Sequence, residues 1–128
     1  RMASMHLAEE LRNGRLRVVD LLARASVLAA ANDLAPAAMV VEPGLAPFRR
    51  ALLRLLARPV GISGSGPTHW AFYPSHAEAS AAAEVVRGAI TAGSLSAPGP
   101  HEPFVTATRI LSTIHAGSTT ADQHRREP

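Results

Sequence analysis

One stretch limits the folds open to this chain more than any other: Gly61-Ile62-Ser63-Gly64-Ser65-Gly66-Pro67-Thr68, three glycines and a proline set between two runs of strand-forming residues. Glycine reaches positive φ without steric cost and proline cannot donate to a β-ladder, so the backbone must turn here. Pro59 to Ser63 is short, apolar and partly β-branched, and Thr68 to Tyr73 resumes with Trp70, Phe72 and Tyr73, which together read as strand, loop, strand.

The flanking segments have helical periodicity. His6 to Asn13 reads as a helix that Gly14 can end, and Leu16, Val19, Leu22 and Leu28 repeat at helical spacing up to Ala31. Asn32 and Asp33 interrupt the alanine run and can cap a short helix from Leu34 to Val41, which Pro43 and Gly44 close. From Leu45 to about Ala57, Leu45, Phe48, Leu52, Leu55 and Leu56 share one helical face while Arg49, Arg50 and Arg54 take the other. Pro74 and Ser75 are turn and cap signals for an alanine-rich helix from His76 to Ala92, with Ala79, Ala83, Val86 and Ile90 on its inner face and Gly93 as its stop. Ser94 to Pro103 is a Pro/Gly/Ser loop, and Phe104 to Ile110 alternates like a third strand.

Three strands and four or five helices predict an α+β domain, with helices on one face of a small, mainly antiparallel sheet, over residues 1–111. Residues 112–128 are polar and expected to be a flexible tail. Arg1 opens without an initiator methionine, so the chain reads as an engineered excerpt, a proteolytic fragment or a domain cut from something longer. An amphipathic strand upstream of Arg1 would complete the thin sheet, and without it the open edge favours pairing with another copy or with the missing part.

Composition narrows the chemistry. Zero cysteines exclude disulfides and thiolate metal sites, and the six histidines show no metal-ligand spacing, so no metal is expected. All thirteen basic residues are arginines, which removes a phosphate-loop lysine and Schiff-base chemistry. A net charge of +3, with arginines scattered and no interleaved aromatics, argues against nucleic acid. Apolar stretches are broken by Arg, Asp, Asn or Pro well before about 18 residues and there is no leader, so neither a membrane span nor a signal peptide is expected, and a cytoplasmic location is the default.

Spacing eliminates three mechanisms for the glycine loop. Neither Ser63 nor Ser65 is flanked by glycines two residues away on both sides, so no nucleophile elbow forms. Gly66 precedes Pro67 and a strand, not Lys and a helix, which excludes a Walker-type loop. A dinucleotide fingerprint would need glycine at 69, where His69 stands. A tight turn remains, whose bare N–H groups and serine hydroxyls can approach a phosphate or another loop, or which simply connects two strands. Asn32 and Asp33 likewise either cap a helix or form a polar pair that fixes the loop, and His69 and Trp70 read as packing residues, only one of which can point inward.

The order of these features resembles the 4-diphosphocytidyl-2-C-methylerythritol kinases of the GHMP superfamily. The likeness spans about Met5 to Ile110 and rests on Ser63-Gly64-Ser65-Gly66-Pro67-Thr68, similar to the third of the superfamily's three motifs, with Asn32-Asp33-Leu34 roughly thirty residues upstream. It implies the ferredoxin-like C-terminal domain of an ATP-dependent kinase that phosphorylates a hydroxyl of the methylerythritol moiety in non-mevalonate isoprenoid synthesis. It also implies that the phosphate loop, catalytic aspartate and catalytic lysine belong to an N-terminal half, leaving no catalytic residue in this chain. ATP and Mg would be bound by the complete enzyme and not by this chain alone. Ser63, Gly64, Ser65, Gly66, Pro67 and Thr68 would then wall the active site and support the phosphate loop, with Asn32 and Asp33 fixing them. Implied partners are the N-terminal half and, in the complete enzyme, a small-molecule substrate, to which the open sheet edge adds a second copy of the chain. His69-Trp70 and the Ser94 to Pro103 loop depart from the usual pattern. The competing reading is a non-catalytic α+β binding or oligomerisation module.

Overall fold

The computed structural model describes residues 6, 9, 10, 12, 13, 17–101 and 103–110. His6, Glu9, Glu10 and Arg12 are helical, and the expected tail at 112–128 lies outside the described residues, as do Gly14 and Leu16. Then follow α1 (Val18–Ala23), α2 (Ala25–Ala30), α3 (Ala35–Val41), α4 (Leu45–Leu56), β1 (Gly61–Ile62), β2 (His69–Trp70) and α5 (His76–Thr91). β1 and β2 form an antiparallel pair with Gly61 opposite Trp70 and Ile62 opposite His69.

The long helix expected from Leu16 to Ala31 is two short ones. Arg24, at φ −97° and ψ 1°, leaves the helical region between them, and its guanidinium forks onto the Glu10 carboxylate. That ion pair ties the bend to the preceding helical segment.

The α4 helix organises the interior. Leu45, Phe48 and Leu52 recur at helical spacing and are buried. Phe48 and Leu52 join Val60, Val86 and Leu95 in a core against which Leu56, Ile90 and Val105 pack. Leu45 and Val60 are the deepest side chains, at 2% and 1% exposure. Leu55, assigned to the inner face by periodicity, is 38% exposed, at the rim of the stripe.

The caps of α5 follow the sequence. Ser75 Oγ accepts from the Glu78 N–H at 3.2 Å, a side-chain N-cap, and the hydroxyl donates to the Glu78 carboxylate. At the other end Gly93 N–H donates to Ile90 O and Ser94 N–H to Ala89 O, the two bonds of a Schellman motif around a positive φ at Gly93.

The third strand is not formed among the described residues. Residues 103–110 have no regular secondary structure, alternate in exposure only from 103 to 108, and pair with no described strand. Their anchor is a side chain: Arg87 donates to Val105 O at 2.6 Å. The first strand is also shorter than expected, because Val60 O accepts from Arg49 Nε at 2.7 Å instead of from a ladder. Both carbonyls are satisfied, but a guanidinium cannot propagate a sheet.

Candidate functional site: the glycine loop and its supports

Ser63 N–H donates to Thr68 O at 2.9 Å, extending the β1–β2 pairing, and Gly66 N–H donates to Ser63 O at 3.1 Å across a four-residue turn. Gly64 holds φ +55° at the first central position of that turn, where the primed hairpin turns place glycine. Gly66, at φ +77°, lies against the interior: a Cβ there would stand 3.3 Å from Leu45 Cδ1 and 3.6 Å from Ala38 Cβ. The space around a Cβ at Gly64 is empty. Gly66 thus lies half-buried against α3 and α4, while Gly64 lifts the backbone into the open.

Asn32 connects the loop to the helical layer. Its side-chain amide donates to Ile62 O at 2.9 Å and Gly64 O at 2.7 Å, while its Oδ1 accepts from Leu34 N–H at 3.0 Å. The same residue therefore ties the entry to α3 and holds the hairpin by its first carbonyls. Asp33 is exposed, and its carboxylate makes no hydrogen bond among the described residues; the structure does not bring it to the loop.

The far end of the loop is held by His69, whose Nδ1 lies 2.8 Å from Pro67 O. A carbonyl only accepts, so Nδ1 carries the proton and donates. The ring packs edge-on to Phe48 at 5.2 Å, and Nε2 is buried without a partner. Burial drives the imidazole pKa below its usual value and the Arg49 guanidinium adds to that shift, while hydrogen bonding to the Pro67 and Leu45 backbone opposes it. Trp70 lies flat over Gly61, where any Cβ would collide with the indole, and packs on Phe72 with ring centres 4.6 Å apart. The inward turn of His69 and the Trp70–Phe72 stack satisfy strand alternation.

Two residues matter here that periodicity placed elsewhere or left open. Arg49, assigned to the outer face of α4, instead reaches inward to Val60 O and, at 3.3 Å, to Ala29 O. Its position one residue after Phe48, at the edge of the apolar stripe, was the available signal. His69 is a packing residue that also anchors a loop carbonyl, and its place directly after the Pro-Thr pair was the clue.

Exposed hydroxyls of Ser63, Ser65 and Thr68 crown the loop, and no hydrogen bond among the described residues occupies the N–H of Gly64 or Ser65. These groups fit the edge of a phosphate site as neutral donors. They do not fit a metal: among the described residues no three His, Asp, Glu or Cys side chains gather to hold one. From the loop an apolar groove of about 1430 Å³ runs past Trp70 and Phe72 to Phe104 and Ile110. No described helix is long and apolar enough to cross a membrane.

Residues 7–90 match the family described as GHMP kinases C terminal. The chain belongs to that family. The match takes in Asn32, the whole glycine loop and nearly all of α5, so the hydrogen bonds from Asn32 lie inside a GHMP C-terminal domain. No curated protein and no solved structure matches the chain.

Proposed function

We propose that this GHMP domain forms part of an ATP-dependent kinase acting on 4-diphosphocytidyl-2-C-methylerythritol, with the groups that transfer the phosphoryl supplied by an N-terminal half. The observation that carries the reading is the double hydrogen bond from Asn32 to Ile62 O and Gly64 O. The two sequence segments that resemble this kinase group, thirty residues apart, are physically one unit. Their union leaves the Gly64 and Ser65 N–H groups and three hydroxyls pointing outward, a neutral wall suited to lie beside bound phosphates whose charge other residues neutralise. With no lysine in the chain, any phosphate-binding lysine has to come from elsewhere.

The test is phosphorylation of the cytidine diphosphate substrate by the chain joined to an N-terminal GHMP half, compared with homoserine and mevalonate as acceptors. Preference for the cytidine compound supports the substrate assignment, and transfer only to another acceptor overturns it while leaving the family in place.

One observation favours assembly as a second role. Phe104 is 90% exposed near the start of a non-helical segment with no described strand partner. Such a segment offers main-chain groups to an incoming strand, from a second copy or from the kinase half.

A further inference from the structure

We propose that His69 is a positioning residue for the glycine loop, holding Pro67 from the strand side as Asn32 holds Gly64 from the helical side, and that it does so only as a neutral imidazole. The geometry is that of a clamp with two jaws. Asn32 takes the carbonyls of Ile62 and Gly64 at the entry of the loop, and His69 takes the carbonyl of Pro67 at its exit. Between them the turn has only its own two backbone bonds, Ser63 N–H to Thr68 O and Gly66 N–H to Ser63 O.

The jaws differ in one respect. An amide does not titrate, whereas an imidazole does. In the neutral ring Nδ1–H is committed to Pro67 O, so Nε2 is the bare acceptor, enclosed by protein with nothing to receive. Protonating Nε2 would place a buried cation against the edge of Phe48, with only the Leu45 backbone of α4 to receive its proton. Among the groups that bear on the ring, α4 contributes the Arg49 guanidinium, which repels a second positive charge, while the loop residues 63–68 and Ala38 of α3 carry no ionisable side chain. No described carboxylate is placed to offset the charge. Acid should therefore expel the ring and release Pro67 while leaving the Asn32 jaw closed.

The sign follows from linkage. The folded state favours the neutral form more than the unfolded chain does, so the clamp is complete above the unfolded histidine range and is lost as pH falls through the lowered folded value. The inference concerns the set of the loop and is read without turnover, so its failure and that of the kinase reading are separable.

The experiment is amide exchange of Ser63 and Gly66 in the full chain, corrected for intrinsic rates, at about pH 7.5 and about pH 5, on either side of the ordinary histidine range. Wild type should lose about tenfold or more of its protection at these two amides on acidification. His69→Asn, which can place an amide donor near Pro67 O but cannot titrate, should retain protection at both pH values. His69→Leu should show low protection at both. Unchanged loop protection in His69→Leu, or an equal acid loss in His69→Asn, would overturn the proposal. Nitrogen shifts of the His69 ring in wild type give a check that needs no variant: the Nδ1–H tautomer is required, and an Nε2–H tautomer overturns it.

Discussion

Asn32 and Gly64, thirty-two residues apart, are joined by a 2.7 Å hydrogen bond from side-chain amide to main-chain carbonyl, and the bond sets where the glycine loop sits on the helical layer. A second bond from the same nitrogen, to Ile62 O, makes the attachment a two-point one.

Asn32→Ala removes both donors and the Oδ1 acceptor for Leu34 N–H at once. The Ile62 carbonyl is buried, so the expected loss is about 2 kcal/mol, within the range for a few net hydrogen bonds with one carbonyl left unmet. Asn32→Asp should be worse, because a carboxylate would face two carbonyl oxygens. Urea unfolding of the three proteins orders them as wild type, Ala, Asp if the account holds.

The two loop glycines should respond differently to alanine. At Gly64 the only penalty is the positive φ, about 1 kcal/mol for an L-residue, since the space beyond is empty. At Gly66 the same strain is joined by a tight approach to Leu45 Cδ1, which lies in the core, so the loss should reach about 2 kcal/mol or more. Valine at either site should reduce turnover of the joined kinase more than it reduces stability. Equal denaturation midpoints for Gly64→Ala and Gly66→Ala would mean that the loop does not pack on α4.

Ala57 ends α4 at φ +49°, a left-handed conformation that alanine adopts at a cost. Ala57→Gly should stabilise the chain by about 0.5–1 kcal/mol, read as a rise in thermal midpoint.

Self-association is expected through residues 103–110. The segment is not helical, Phe104 and Ile110 are exposed, and no described strand takes up its main-chain groups. Burying about 400 Å² of apolar surface per subunit is worth roughly 10 kcal/mol before association costs that consume much of it, which describes a weak dimer. Sedimentation equilibrium over a wide concentration range should show concentration-dependent mass that Phe104→Asp abolishes. A strict monomer at all concentrations would show that this edge takes no second copy.

The helices were legible in the sequence because their information is local. Leu45, Phe48 and Leu52 mark the buried stripe of α4 by spacing, and Ser75 and Gly93 mark the ends of α5 by side-chain and backbone chemistry. The hairpin was legible because Gly64 and Gly66 announce positive φ. What sequence could not place depends on contacts between distant residues. Arg24 bends a helix toward Glu10, Arg49 turns inward to Val60 O, and Arg87 takes the carbonyl that a third strand would have offered to a neighbour. In the last two cases a guanidinium takes a carbonyl that regular backbone pairing would use. The reach of Asn32 to the loop is of the same kind: local spacing left helix cap and loop support as alternatives, and the side chain does both.

The central claim is that this GHMP domain supplies a neutral, non-catalytic wall to a kinase whose reactive groups lie elsewhere. Its most direct test is release of ADP with the cytidine diphosphate substrate, measured for the purified chain alone and for the chain joined to an N-terminal GHMP half. The account predicts a blank rate for the chain alone, turnover on the order of 1 s⁻¹ for the joined protein, and a loss of that turnover in Asn32→Ala. Turnover by the chain alone, or undiminished turnover by the joined Asn32→Ala protein, would contradict it.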